Sequence, residues 1–164
     1  AEYRLDRSRR TRIRTRNFVG EDEFFEPYES LRYMFKDLSD SDDVIYANLS
    51  SLGEEFEHAW RRILLADALF MNTDRHMRNF GVIRSARTGE LKRLAPNFDN
   101  NQAYKANPGN HYSSGMLNAF RASYGLTQTD RDELHTLLSA CEGRAYMQDA
   151  VEVGTDFLKQ IKEN

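Results

Sequence analysis

Residues Leu52 to Phe70 carry a helical repeat whose apolar face widens until little polar surface remains. Leu52, Phe56, Ala59, Trp60, Ile63 and Leu64 recur at the 3.6-residue period. From Ile63 to Phe70 only Asp67 interrupts the apolar run. A helix that is apolar all round is buried, so the rest of the chain must assemble around this one. Ser51-Leu52-Gly53-Glu54 reads as a capping box at its start. Its far end delivers Asn72-Thr73-Asp74-Arg75-His76-Met77-Arg78-Asn79-Phe80-Gly81 onto a central loop. Asp67 admits two readings. It is a buried carboxylate partnered by Arg75 or the following loop backbone, or it sits on a solvated edge.

The other elements are shorter. Arg10 to Arg16 alternates with a period of two, a strand pattern with Thr and Ile on one face. Glu23 to Phe35 reads as a short helix beginning near Pro27, with Tyr28, Leu31 and Phe35 on one side. Asp37 to Asp43 reads as an acidic, exposed linker. Phe80–Ile83 and Leu91–Leu94 read as a hairpin turning at Thr88-Gly89. Beyond Asp99 the chain is polar and irregular as far as Gly115. Three helices then close the chain, over about 116–124, 129–141 and 144–162, the second capped by Thr129 with Asp132. The expected fold class is α+β, mostly α.

Composition bounds the function. The 164 residues are 40% hydrophobic and 30% charged, enough for one domain with a real core. No apolar run reaches the eighteen residues of a membrane span. The N-terminus lacks the apolar stretch of a signal peptide. The single cysteine, Cys141, excludes an internal disulfide and fits a reducing, cytoplasmic setting; it is expected to be a small buried helix residue. A net charge of −3 argues against general nucleic-acid binding by this chain. Residues 4–16 nevertheless carry seven arginines, read as a solvated strand face or basic arm, or as a contact for a polyanion such as ATP phosphates.

The central segment carries the chemistry. Asp74 and Asn79 lie five residues apart, and Phe98-Asp99-Asn100 follows the hairpin. Phosphoryl transfer depends on positioning and charge more than on covalent work by the protein. A carboxylate orients the acceptor hydroxyl and takes its proton, and Asp74 suits that role. Mg²⁺ prefers oxygen ligands and few protein groups. The Asn79 amide and the Asp99 carboxylate suit it, and the hairpin would return Asp99 beside Asn79. Arg75 pairs with a phosphate or with a loop carboxylate. His58, near Trp60, reads as structural, and His111 as an exposed loop residue.

Asn72-Thr73-Asp74-Arg75-His76 through Asn79-Phe80-Gly81, followed by Leu94-Ala95-Pro96-Asn97-Phe98-Asp99, resembles the catalytic half of HipA-like kinases. These are bacterial serine/threonine protein kinases, some of them toxins of toxin–antitoxin modules. The pattern N-T-D-x-H-x-x-N-F is matched at Asn72, Thr73, Asp74, His76, Asn79 and Phe80. The motif resemblance covers about residues 63–99. It implies a protein-kinase-like C-terminal lobe over 21–164, with residues 1–20 as a hinge remnant. It also implies Asp74 as catalytic base, Asn79 and Asp99 as Mg²⁺ ligands, ATP as cofactor, and a protein substrate with an antitoxin as further partner. The D-R-H-x-x-N core is similar to phosphatidylinositol 3- and 4-kinases, where the histidine at the position of His76 lies close to the transferred phosphate. His76 otherwise anchors the turn by hydrogen bonds.

The chain departs from that pattern before Asp74. Only Gly20 and Gly53 precede it, far apart, and the one lysine there is Lys36. A Gly-rich loop and a strand-borne lysine, which a nucleotide-covering lobe supplies, are not visible. The expectation is a catalytic lobe that needs an N-terminal lobe. Two other functions compete: a non-catalytic kinase-like interaction module, and a metal-dependent hydrolase using Asp74, His76, Asp99 and His111.

Overall fold

A computed structural model describes residues 2–5, 11–14, 17–100, 103, 110–144 and 147–162, with side chains for 17–100, 103, 114–144 and 147–161. Strands β1 (Glu2–Leu5) and β2 (Thr11–Arg14) pair antiparallel, so the alternating segment is a strand. The side chains of the seven arginines lie outside the described residues, and with them the polyanion reading.

β3 (Glu23–Pro27), β4 (Gly81–Ser85) and β5 (Leu91–Leu94) form a three-stranded antiparallel sheet in the order β3-β4-β5. The hairpin is where its sequence predicts, and Gly89 turns it with φ +72°. β3 corrects the expected helix over Glu23–Phe35. Glu23 to Pro27 pair residue by residue with Ser85 to Gly81, and only Tyr28–Tyr33 coil, as a 3₁₀ helix. Gly81 is required at this seam: a Cβ there would lie 2.2 Å from the Glu26 carbonyl oxygen and 2.8 Å from Pro27 Cα. No neighbour can yield that much without moving backbone.

The five helices are α1 (Asp42–Ser51), α2 (Glu54–Phe70), α3 (Asn110–Tyr124), α4 (Gln128–Cys141) and α5 (Gln148–Lys162). α1 replaces part of the expected acidic linker, its first turn holding Asp42 and Asp43 against the helix dipole. It also overturns the capping box, because Ser51 is its last residue and donates from Oγ to the Asn48 carbonyl. Gly53, with φ +129°, therefore starts α2 without a side-chain cap. The cap of α4 falls two residues earlier than expected, where Thr127 and Asp130 form a reciprocal capping box. α3 starts at Asn110, so 110–115, the end of the stretch read as irregular, is helix, and the backbone of His111 is helical.

α2 joins two cores. Phe56, Trp60 and Ile63 on its N-terminal half pack with Tyr28, Leu49 and Phe80 against the sheet. Leu65, Ala68 and Leu69 pack with Leu117, Leu134 and Phe157 of the closing helices. Each such large side chain contributes about 1.5–3 kcal/mol when fully buried. Cys141 is buried, as expected, whereas His58 is exposed and faces Glu54 at 3.7 Å. Among the described residues no helix is long and apolar enough to cross a membrane.

Candidate functional site

The C-terminus of α2 places the site. Met71 stops the helix in the left-handed region at φ 55°, and Asn72 N–H donates to the Asp67 carbonyl. Asp99 has φ 56°, so the two described non-glycine residues with positive φ stand at either end of the candidate site. That conformation costs about 1–2 kcal/mol for a non-glycine residue, less for Asp. Such strain persists where surrounding contacts over-determine it.

Those contacts converge on Arg75. Its guanidinium forms a fork with Asp67, Nε donating to Oδ2 at 2.7 Å and Nη2 to Oδ1 at 2.6 Å. Nη1 donates to the Asn79 carbonyl at 3.1 Å and to the Phe98 carbonyl at 3.0 Å, which holds the 72–79 loop beside the segment after β5. Nη2 also donates to the Asn97 and Asn100 side-chain oxygens at 2.7 and 2.9 Å. Asp67 is buried, which resolves its two readings in favour of the Arg75 partner. The expectation that Arg75 meets a cofactor gives way in this conformation, since its N–H groups are engaged by protein acceptors. Asn97 and Asn100 were not singled out from the sequence; the only signal for them is that they flank Phe98-Asp99.

Asn79 shapes the loop from inside. It is 2% exposed, its Oδ1 accepts from the His76 N–H at 3.0 Å, and its Nδ2 donates to the Asp74 carbonyl at 2.6 Å. One lone pair of Oδ1 is left by these bonds. Phe80, next in sequence, is fixed between Trp60 at 4.5 Å and Tyr28 at 4.9 Å. The 3₁₀ helix is tied to the same loop, Tyr28 N–H donating to Phe80 O and Glu29 N–H to Met77 O. His76 is exposed and its Nδ1 accepts from the Arg78 N–H at 3.3 Å, the anchoring geometry.

Asp74 is half-buried and Asp99 exposed, and no described residue hydrogen-bonds to either carboxylate. Phe98, beside Asp99, stacks on Phe18 at 5.3 Å and meets Phe25 of β3 edge-on at 5.4 Å. This aromatic triad also went unread in the sequence. The donor set Asp74, Asn79 and Asp99 is all oxygen, the chemistry of a hard cation such as Mg²⁺. Among the described residues no three His, Cys, Asp or Glu side chains gather as a metal cluster, and the His111 side chain lies outside them. The hydrolase reading gains no support.

No protein-family model and no curated protein matches the sequence. The fold itself is kinase-like: the loop that follows the central helix runs into a small antiparallel sheet, and further helices close on that helix after the sheet. A solved structure that shares it is the proinflammatory kinase CtkA of Helicobacter pylori, with a TM-score of 0.52 over 90% of this chain and 70% of that one. The two are 16% identical, so the likeness bears on the fold.

Proposed function

We propose that this chain is the catalytic lobe of a HipA-like kinase, transferring the γ-phosphoryl group of ATP to a protein serine or threonine hydroxyl. Asp74 orients the acceptor hydroxyl and receives its proton. Asn79 and Asp99 hold Mg²⁺, which when bound neutralises the phosphate charge. Arg75 acts as a positioning residue. His76 keeps the turn in place and leaves its ring exposed at the site. The reading is carried by one observation: Arg75 bonds at once to the Asn79 and Phe98 carbonyls, bringing together two segments that are separate in sequence. The kinase-like neighbour supports it, as do two carboxylates with no described partner.

Lys36, the only lysine before Asp74, is exposed in the segment after the 3₁₀ helix. The nucleotide-covering role thus falls to a further lobe, a partner in this proposal, while the Mg²⁺ and phosphate side of the site lies on this chain and is what the chain alone binds. ATP titration by calorimetry with and without Mg²⁺, together with mass spectrometry for self-phosphorylation, tests it. Mg²⁺-dependent binding that Asp99→Asn removes is the expected result. Binding indifferent to both Mg²⁺ and Asp99 counts against it. A second reading, a kinase-like interaction module without catalysis, is favoured by Asn79, whose buried amide is already engaged by the loop. That module would keep its fold and give no Mg²⁺-dependent ATP signal.

A further inference from the structure

Asp99 stands in the left-handed region at φ 56°, with its carboxylate exposed and without a described hydrogen-bond partner. Its own side chain therefore does not hold a conformation that is costly for an L-residue. The hold comes from its two neighbours. On the side of α2, Arg75 Nη1 donates to the Phe98 carbonyl and Nη2 to Asn100 Oδ1. Those bonds do not reach the Phe98 ring.

The ring is fixed from the other side. Phe18 stacks on it, with centroids 5.3 Å and planes 27° apart, and Phe25 meets both rings edge-on at 5.4 and 5.9 Å. Phe25 is set by the β3–β4 ladder. Phe18 is half-buried and belongs to no helix or strand. Its carbonyl accepts from Arg93 Nη2 at 3.1 Å, and the same guanidinium grips Glu23. Glu23 Oε2 also accepts from the Gly20 N–H at 3.0 Å, and Asn17 Oδ1 from the Val19 N–H at 3.1 Å. Residues 17–20 are thus bracketed around Phe18, which gives its ring one place to stand.

We infer that Phe18 is a positioning residue for Asp99: its stack on Phe98 keeps the Asp99 carboxylate turned toward the candidate site. Removing the stack frees the Phe98 ring and lets Asp99 relax out of the left-handed region, which carries its carboxylate away. The functional consequence rests on the kinase reading. Retention of Mg²⁺-ATP then depends on a residue outside both segments that carry the metal ligands. A stacked aromatic pair corresponds to about three- to tenfold in such an equilibrium.

The test uses the whole ¹⁵N-labelled chain and two readouts. The first needs no ligand: ¹⁵N relaxation at the 98–100 amides, order parameters for ps–ns motion and dispersion for μs–ms exchange. Phe18→Ala should mobilise Asp99 and Asn100 and leave Asp74 and Asn79 as rigid as before, and Phe18→Tyr should restore the wild-type behaviour. Phe24→Ala, the same truncation on the opposite face of β3, should leave Asp99 unchanged. Phe18→Leu, which keeps apolar bulk and loses the stack, gives the same reading if the alanine variant does not fold. The second readout is Mg²⁺-ATP affinity, which Phe18→Ala should weaken about three- to tenfold and Phe18→Tyr should recover. Asp99 as rigid in Phe18→Ala and Phe18→Leu as in the wild type, or as mobile in Phe24→Ala, would overturn the inference. A wild-type chain indifferent to Mg²⁺-ATP would overturn the proposed function instead, and the relaxation data would still decide whether Phe18 holds Asp99.

Discussion

Two arginine–aspartate forks hang on the central helix, and they do different things. Arg61 of α2 and Asp130 of α4 meet at 2.6 Å with both side chains 4% exposed. Arg61 also donates to the Tyr124 and Gly125 carbonyls at the end of α3, while Asp130 caps α4 through Thr127. That fork fastens helix ends to one another. Asp67 of α2 and Arg75 meet at the same 2.6 Å and nearly the same burial. There the remaining donors go to loop carbonyls and asparagine side chains around Asp74 and Asp99. Chemically equal pairs thus serve stability at one end of α2 and loop placement at the other. What separates them is the set of acceptors around the guanidinium.

Breaking the Arg61–Asp130 fork should have the largest effect on stability. Asp130→Ala strands a buried guanidinium and removes the α4 cap, so chemical denaturation should show a loss of about 3–5 kcal/mol. Replacing both partners with apolar residues, Arg61→Met with Asp130→Leu, should cost clearly less than that single change. A double variant as unstable as Asp130→Ala would show that the lost cap, rather than the stranded charge, dominates.

Arg75→Lys keeps the charge and loses the fork. It should cost about 1–3 kcal/mol, from charged hydrogen bonds to groups nearer the surface. Under the proposed function it should also lower Mg²⁺-ATP affinity about tenfold or more, a stability-sized loss expressed at the site. Equal loss of nucleotide binding in Asp130→Ala, measured where both variants are folded, would erase the distinction between the two forks.

A third pair sharpens the comparison through pH. Arg93 donates to both Glu23 oxygens at 2.7 Å. That fork, aided by the Gly20 amide, holds the Glu23 carboxyl down from 4.5 to about 2. A depressed folded pKa gives stability that is present above the unfolded value and lost as the group protonates. The melting temperature should therefore fall between pH 4.5 and about 2, and Glu23→Gln should flatten part of that fall. Asp130 adds to the same acid limb: burial pushes its carboxyl up, but Arg61 and Thr127 outweigh burial and leave it below its ordinary value. The smallest effect is expected at Arg87–Asp22, whose side chains are 76% and 65% exposed. Asp22→Asn should change stability by about 0–1 kcal/mol, and less in high salt.

The sequence displayed what depends on neighbours within a few residues. The length of α2, the β4–β5 hairpin and the closing helices follow from period and turn chemistry. Asp67 was readable as the partner of Arg75 because one helix end and one loop bring them together. What stayed hidden depends on distant partners. Tyr28 and Leu31, two of the residues with helical spacing, do lie in the 3₁₀ helix, yet Glu23–Pro27 before them is a strand because β4, more than fifty residues later, pairs with it. Thr127 and Thr129 each stand three residues before an aspartate, and the Thr127–Asp130 pair forms the cap where Arg61 also fixes Asp130. Asp42 and Asp43 looked like a linker because dipole-favoured residues at a helix start resemble exposed acidic loop. At the candidate site the motif residues were legible, while the Asn97, Asn100 and Phe18–Phe25–Phe98 supports carry no local pattern.

The central claim is that Asp74, Asn79 and Asp99 share one metal–nucleotide site. Replacing Mg²⁺ with paramagnetic Mn²⁺ in the presence of ATP and following amide line widths tests it directly. The account predicts that resonances of 72–79 and 98–100 broaden together at low Mn²⁺, and that Asp99→Asn removes the effect. Broadening confined to one of the two segments, or retained in Asp99→Asn, would contradict it.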